Sequence, residues 1–273
     1  NHTVLSLEGD RPMSRYSLPD TDLFRQADHT ISPRCENLAI AVERLGERAA
    51  YDYYFFAGHQ VAQATLDFLA WRGEDPGSLS MLDFASGYGR VTRYLVHRFR
   101  TVWVSDLEVD MLEFCSSHFG TPGFLSVGDP EKPWSVDRRF DLVFCHSLFT
   151  ALCESQWVPW LQRLAALVEP GGHLLITTQG AKFAAKLRGK DPSGVNANDG
   201  PEFDFVRGNE TKGRLDPRFY GTAFASDRFV RDAARTVPGL EVVRHFEMGH
   251  FDLFHDVYAF ARTSARAALD PMV

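Results

Sequence analysis

Residues 79–90, Leu-Ser-Met-Leu-Asp-Phe-Ala-Ser-Gly-Tyr-Gly-Arg, restrict the possible folds more than any other stretch of the chain. A short apolar run closes on Asp83, glycines follow at 87 and 89, and a helical pattern then begins. The order reads as strand, tight turn and helix N-terminus. Glycine lacks a Cβ and tolerates positive φ, so such a turn lets backbone N–H groups approach a ligand closely. In open α/β sheets, ligands bind at the carboxyl ends of the strands. The turn is equally an ordinary steric joint. The three-glycine dinucleotide fingerprint is incomplete, because Ala85 stands where its first glycine would be. The rest of the chain has to decide.

Downstream, strands and helices alternate. Val91, Leu95 and Val96 mark the buried face of a helix reaching about Phe99. Thr101 to Ser105 reads as a second strand with Asp106 at its end, followed by a helix from Val109 to Phe119. Phe124 to Val127 is a third strand leading into Gly128-Asp129-Pro130. Phe140 to Cys145 is a fourth, with His146 and Ser147 at its carboxyl end. Trp157, Trp160, Leu161, Leu164 and Val168 mark the next helix. Pro159 is expected in its first turn, because an interior proline breaks the hydrogen-bond ladder. Glu169-Pro-Gly-Gly should end that helix before a fifth strand, His173 to Thr178. Ser226 caps a helix from Asp227 to Thr236. Leu240 to Glu247 and Asp256 to Ala261 close the pattern; strands joined by so short a link must be antiparallel.

Two regions depart from this rhythm. Residues 1–36 hold Pro12, Pro19 and Pro33 with little periodicity and read as an extended arm. Residues 37–78 read as a helical cap of two segments, one carrying Leu38, Val42 and Leu45, the other Val61, Thr65, Phe68 and Leu69. The aromatic cluster from Tyr51 to His59 lies between them. That cluster either packs the helices down or roofs a pocket, and Tyr51 and Tyr54 are candidates to touch a substrate. Residues 180–223 are rich in Gly, Asp, Asn and Lys; a connection this long is usually functional or disordered. They are read as a lid over the ligand, with Tyr220 a third substrate candidate. The remainder, 79–273, is read as the main domain.

Composition excludes several partners. The net charge is −7 and no basic run occurs, which argues against nucleic acid. No stretch of about 18 apolar residues stands ready to span a membrane. The four cysteines form no Cys-x-x-Cys pair, and no leader-like stretch is visible in the sequence given. A cytoplasmic, reducing setting is expected. Asp129 and Asp252 have no spacing that demands a metal, and none is expected.

Taken together, the pattern resembles the class I S-adenosylmethionine (SAM)-dependent methyltransferases. Leu82 to Arg90 looks like the family's first motif, Ser105 to Leu112 like its second-strand acid and following helix, Phe140 to Leu152 like its fourth-strand motif, and Leu167 to Ile176 like the turn into strand five. The version with Gly-Tyr-Gly-Arg and Ser-Leu-Phe-Thr resembles bacterial enzymes of polysaccharide and natural-product tailoring. The resemblance implies a Rossmann-like α/β fold. Its seven-stranded sheet has the last strand inserted antiparallel beside the fifth, with helices on both faces, an N-terminal helical cap and a lid insertion. It also implies SAM as cofactor, with S-adenosylhomocysteine (SAH) as product. Departures are Ala85 for the leading glycine and Ala151 for the family's usual His after Phe-Thr. Both lend some weight to a rival reading, a SAM-binding partner protein without catalysis. The missing third glycine and the antiparallel end argue against a nicotinamide oxidoreductase.

The resemblance carries specific roles. Ala85, Ser86, Gly87 and Tyr88 would line the methionine moiety, within a cofactor-binding stretch that also takes in Asp83, Gly89 and Arg90. Asp106 and Leu107 would hold ribose and adenine, and Asp129 the adenine amino group, with Gly128 and Pro130 also counted as cofactor-binding. A carboxylate suits a vicinal diol because it accepts two hydrogen bonds, and the step from Gly87 to Asp106 is close to the usual spacing of about 20 residues. From the residues alone, Asp106 is equally a helix N-cap and Asp129 a turn residue. Methyl transfer mainly requires alignment of acceptor and methyl carbon, and a hydroxyl acceptor also needs a base. Histidine suits that role. His146, which also falls within the cofactor stretch, comes first, then His250 and His255. The expected acceptor is a small molecule or saccharide, methylated on oxygen, and a homodimer is left open.

Overall fold

The computed structural model describes residues 16, 18–133, 136–208 and 215–263. Residues 1–15 and 17 of the N-terminal arm, residues 209–214 of the expected lid and the C-terminal tail from 264 therefore lie outside the described residues. The chain divides into two compact units, 1–126 and 127–273.

The first unit opens with α1 (Asp22–Arg25), capped by the Thr21 hydroxyl, which accepts the Phe24 N–H at 3.2 Å. Then come α2 (Glu36–Leu45) and α3 (Glu47–Arg72). The aromatic run from Tyr51 to His59 does not separate two helices. It is part of α3, a continuous helix of 26 residues that buries Tyr54, Phe55, His59, Val61, Phe68 and Leu69 along one side. Without the constraint of a proline, tertiary burial kept the helix going. Gly58 shows why: a Cβ there would lie 2.4 Å from the Arg90 carbonyl oxygen, so the helix can come this close to the turn after the first strand only at a glycine.

Three parallel strands follow: β1 (Ser80–Phe84), β2 (Thr101–Asp106) and β3 (Gly123–Leu125), in register from Ser80 with Thr101 to Phe84 with Ser105. The third strand starts and ends earlier than the apolar pattern suggests. The helix expected up to Phe99 shrinks to one turn, α4 (Thr92–Leu95), whereas α5 (Val109–Phe119) forms as read and stops at Gly120 in the left-handed conformation.

Arg93 sits on α4 and has no exposed surface. Its Nε donates to the Gly89 carbonyl at 3.1 Å, and Nη1 donates to the carbonyls of Asp28 and Thr30 at 3.0 and 2.9 Å. Nη2 donates to the Tyr88 carbonyl at 3.3 Å and the Tyr54 hydroxyl at 3.4 Å. The rings of Tyr54, Phe55 and Phe119 surround the guanidinium, with centroids 5.3 to 5.6 Å away, a distance at which ring faces attract a cation. So the segment before α2 is not a free arm: its carbonyls are the acceptors of a buried cation, and Leu23, Ala27, Ser32 and Cys35 are buried with it.

The turn after β1 keeps the shape that glycine would give it. Ala85 takes φ 59°, and Gly87 and Gly89 take 55° and 66°. Asp83, at the end of β1, is buried and accepts the Thr92 hydroxyl at 2.6 Å. Burial, with the Asp106 carboxylate adding to it, pushes the Asp83 pKa up to about 7 despite that hydrogen bond.

In the second unit, β4 (Phe140–Cys145) pairs parallel with β5 (Val168–Thr178). The Glu169-Pro-Gly-Gly turn is drawn into the start of β5 rather than ending the helix. A Cβ on Gly172 would lie 2.5 Å from the Asp141 carbonyl oxygen, so glycine lets the chain begin pairing there. Between the strands runs α6 (Glu154–Ala166), with Pro159 inside it instead of in its first turn. The carbonyl that loses its donor belongs to exposed Ser155, and buried Trp157 and Trp160 hold the helix on both sides of the proline. After α7 (Ala181–Leu187), the expected lid contains an antiparallel pair, β6 (Phe203–Arg207) and β7 (Gly221–Ala225). The chain closes with α8 (Asp227–Arg235), capped by the Ser226 hydroxyl as read from sequence, then β8 (Leu240–Phe246) and β9 (Asp256–Arg262). β9 runs antiparallel to both β5 and β8. The sheet has seven strands in the order β3-β2-β1-β4-β5-β9-β8, with β6-β7 a separate pair.

Three outcomes follow. Arg93→Met should cost about 3–5 kcal/mol in urea unfolding, because it strips donors from several buried acceptors at once; a loss below about 1 kcal/mol would contradict the role given to Arg93. Ala85→Gly should stabilise the fold by about 0.5–1 kcal/mol, since a left-handed alanine costs about 1–2 kcal/mol against a smaller chain-entropy loss for glycine; a lowered melting temperature would show that the Ala85 methyl packs usefully. For Asp83, the raised folded-state pKa favours folding below the unfolded value of about 3.9, and that advantage is lost as pH rises towards 7. The melting temperature of Asp83→Asn should therefore gain on the wild type between about pH 4 and 7, and a constant difference would refute the assignment.

Candidate functional site

In the first unit the turn after β1 and the acid after β2 form one hydrogen-bonded structure. The Gly87 N–H donates to Asp106 Oδ2 at 2.8 Å, and the Leu107 N–H donates to Oδ1 at 2.7 Å. Ser86 N–H reaches back to the Ser105 carbonyl at 3.2 Å. Burial raises the Asp106 pKa, opposed by the N–H groups of Gly87, Leu107 and Glu108. Asp106 does not cap the following helix: the residue at that position is Glu108, which makes no side-chain cap. With three N–H groups on about four acceptor sites, the carboxylate keeps roughly one lone pair for a ribose hydroxyl.

The same turn leaves room for a ligand. A Cβ on Gly87 would meet nothing within 4 Å, whereas one on Gly89 would lie 2.4 Å from the Phe119 ring. The first glycine thus borders open space and the second allows close packing. Leu107 is an exposed apolar side chain immediately after Asp106, a surface suited to a flat base. These features fit an adenosine-bearing cofactor held by Gly87, Asp106 and Leu107. Tyr88 is buried and donates its hydroxyl to Asp110 Oδ2 at 2.6 Å. Burial and that carboxylate push its pKa up to about 12. Arg90 is half-buried, its carbonyl facing Gly58. Tyr54, a substrate candidate by sequence, is buried against Arg93, while Tyr51 is exposed. Sequence reasoning missed Arg93, although a basic residue at an inward position of the helix after the glycine turn was the available signal.

In the second unit, Asp129 forms a turn, its Oδ1 accepting the Glu131 N–H at 3.0 Å between half-buried Gly128 and buried Pro130. Tyr220 is buried and donates its hydroxyl to the Gly128 carbonyl at 2.7 Å. A cavity of about 250 Å³ lined by Ala181, Ala185, Arg188 and Phe224 contains none of the residues nominated from sequence.

Past the carboxyl end of β4 lies a tighter cluster. His146 Nε2 is 2.9 Å from Asp252 Oδ2, and His146 Nδ1 is 2.8 Å from Ser147 Oγ. Asp252 is buried. Burial alone would raise its pKa, but the His255 charge and the His146 hydrogen bond hold it well below the usual carboxylate range. An ionised Asp252 only accepts, so Nε2 of His146 carries the proton and Nδ1 accepts from Ser147. Asp252 Oδ1 takes the N–H groups of Phe254 and His255 at 2.8 and 2.9 Å. His255 Nδ1 lies 3.1 Å from the same oxygen. Ser147 adopts φ 66° and is fixed there by Thr177, which accepts its N–H, and Thr150, which donates to its carbonyl. Of the three histidines nominated from sequence, His146 and His255 meet around Asp252. His250 is exposed in a turn, its Nδ1 facing the Glu247 carbonyl. Asp256, the sequence neighbour of His255, pairs instead with His245 at 2.9 Å. The missed residue was Asp252; the signal was its position three residues before His255.

No helix among the described residues is long and apolar enough to cross a membrane. Residues 81–172 match the family described as a methyltransferase domain. A comparison with curated proteins finds no match. Among solved structures, the chain is similar to magnesium protoporphyrin IX methyltransferase (ChlM) from Synechocystis PCC 6803 with bound SAH, at 15% identity and TM-score 0.52, covering 78% of this chain and 87% of that one. It is also similar to DesVI from Streptomyces venezuelae, at 16% identity and TM-score 0.51, covering 78% and 95%. A third is DhpI in complex with SAH, at 18% identity and TM-score 0.51, covering 84% and 96%. At this identity the likeness is one of fold. Sheet order and the matched region agree: residues 81–172 match a methyltransferase domain, and the chain has the fold of the class I SAM-dependent methyltransferases.

Proposed function

We propose that this methyltransferase moves the methyl group of SAM to a hydroxyl oxygen of a small molecule or saccharide, in the tailoring of a natural product or polysaccharide. The observation that carries the reading is the buried cluster of His146, Asp252 and His255 past the end of β4. A neutral amine already presents a lone pair to the sulfonium methyl, whereas a hydroxyl must lose its proton as it attacks. A preorganised acid–imidazole cluster is what a hydroxyl acceptor requires, and proton removal of this kind contributes about 10²–10⁴-fold. The first unit binds the cofactor: Asp106 takes the ribose hydroxyls, Leu107 the adenine face, and Ala85 to Tyr88 the methionine end. Asp129 is assigned the adenine amino group by the resemblance.

The non-catalytic alternative drew its weight from Ala85. That residue holds the left-handed conformation the turn needs, so the substitution leaves the turn in shape. Ala151 joins the turn after β4 to β7, its carbonyl accepting the Gly221 N–H at 2.8 Å, and the His146 cluster supplies the chemistry absent there. All four cysteines are free, which supports a reducing, cytoplasmic setting. The β6–β7 pair belongs to the segment assigned as a lid, and buried Tyr220 and exposed Tyr51 keep their assignment as candidate acceptor contacts.

The test is methyl transfer from labelled SAM to a panel of hydroxylated sugars and phenols beside matched amines, with SAH release as readout. Transfer confined to hydroxyl compounds is expected; transfer confined to amines would overturn the O-methylation reading. In calorimetry, Asp106→Asn should weaken SAH binding by about 10–100-fold, the worth of a hydrogen bond to a charged group. Unchanged affinity in a folded variant would remove Asp106 from the ribose.

A further inference from the structure

The second unit brings together, from β4 and from the loop between β8 and β9, two imidazoles and one carboxylate whose donor atoms lie within 4.8 Å of one another. We infer that His146, Asp252 and His255 form a binding site for one divalent transition-metal cation.

Spacing comes first. His146 Nε2 and His255 Nδ1 lie 2.9 and 3.1 Å from the two oxygens of Asp252. Ligands bound to one ion at about 2.0–2.2 Å stand roughly 3.4 Å apart in a tetrahedral site, so the two contacts to Asp252 need lengthen by only a few tenths of an ångström, and the imidazole nitrogens, no more than 4.8 Å apart, are brought to that spacing by side-chain rotation. The second observation is independent of spacing. His255 Nδ1 is buried and has no hydrogen-bond partner. It faces the Asp252 carboxylate at 3.1 Å without the geometry of a hydrogen bond, an ion-pair contact when the ring is protonated and a free lone pair for a cation when it is neutral.

The surroundings are those of a metal site. Ligating histidines commonly have their second nitrogen fixed by an outer partner, and ligating carboxylates are hydrogen-bonded in turn. Here Ser147 Oγ holds His146 Nδ1, and two backbone N–H groups hold Asp252 Oδ1. The strained backbone of Ser147 is thereby accounted for: it aims a hydroxyl at the imidazole directly before it in sequence. Phe144 and Phe183 lie beside the two imidazole rings. On loading, the cation replaces the proton on His146 Nε2, which leaves to solvent. Two imidazoles and one carboxylate select zinc, cobalt, iron or manganese over magnesium or calcium. Three protein ligands leave a coordination position open, at which an acceptor hydroxyl would be acidified and lose its proton to water. That use rests on the O-methylation reading; the site itself rests on the geometry.

The test uses the full chain stripped with a chelator, titrated with Co²⁺ by visible absorption and with Zn²⁺ by calorimetry. One Co²⁺ per chain, displaced by Zn²⁺, is expected. His255→Ala and Asp252→Asn should each weaken Zn²⁺ binding by at least about 100-fold, Ser147→Ala by about 10-fold as an outer partner, and His250→Ala not at all. SAH titration and thermal unfolding accompany each variant. Should Asp252→Asn fail to fold, His255→Ala and Ser147→Ala still decide. Absence of saturable Co²⁺ binding, or equal Zn²⁺ affinity in His255→Ala and wild type, would overturn the site and leave the imidazoles themselves as proton acceptors. Failure of the wild type to bind SAH would instead strike the cofactor assignment, whatever the metal result.

Discussion

A guanidinium buried away from water is the constraint on which the first unit depends. Arg93 has five N–H donors and five acceptors, all of them uncharged. An unpaired charge at that depth would be expensive, so the chain has to deliver every acceptor. Four come from main-chain carbonyls at residues 28, 30, 88 and 89, and one from the Tyr54 hydroxyl on α3. The glycine turn after β1 and the segment before α2 are thus fixed by the same side chain. Lysine, a point charge with three donors, could not serve these directions.

The two non-glycine residues with positive φ among those described, Ala85 and Ser147, share a place in the fold. Each follows directly, or within two residues, the carboxyl end of a parallel strand, β1 or β4. Strained backbone persists only where its surroundings over-determine it, and it gathers at functional sites. Ala85 is held in the turn closed by the Gly87–Asp106 bond, Ser147 by Thr150 and Thr177. In both cases the strain sets a direction: backbone N–H groups toward an acid in the first, a hydroxyl toward an imidazole in the second.

Much of this was legible in the sequence. The alternation of apolar runs, the acid at the end of β2 and the Ser226 cap depend on local chemistry, and local chemistry is what a sequence displays. The antiparallel end followed from the length of a single link. What stayed hidden was long-range. Nothing near Tyr54 says that its hydroxyl serves Arg93, and nothing near Pro159 says that two buried tryptophans will carry the helix through it. Asp252 and His146 are 106 residues apart in sequence, so their meeting is a property of the fold. The aromatic run from Tyr51 to His59 looked like a break between helices because its residues are individually poor helix formers; burial along α3 outweighed that preference.

The close approach at Gly58 bears on how such a chain can be rearranged by evolution. The region matching the methyltransferase family starts at residue 81, yet the helix touching its first turn, and two of the four carbonyls that accept from its buried arginine, lie upstream of that point. Recombination at the start of β1 would join the new partner to a cation three of whose five acceptors had been left behind. The boundary of sequence similarity is therefore not a seam along which modules can be exchanged: residues upstream of β1 must be inherited together with the glycine turn they hold.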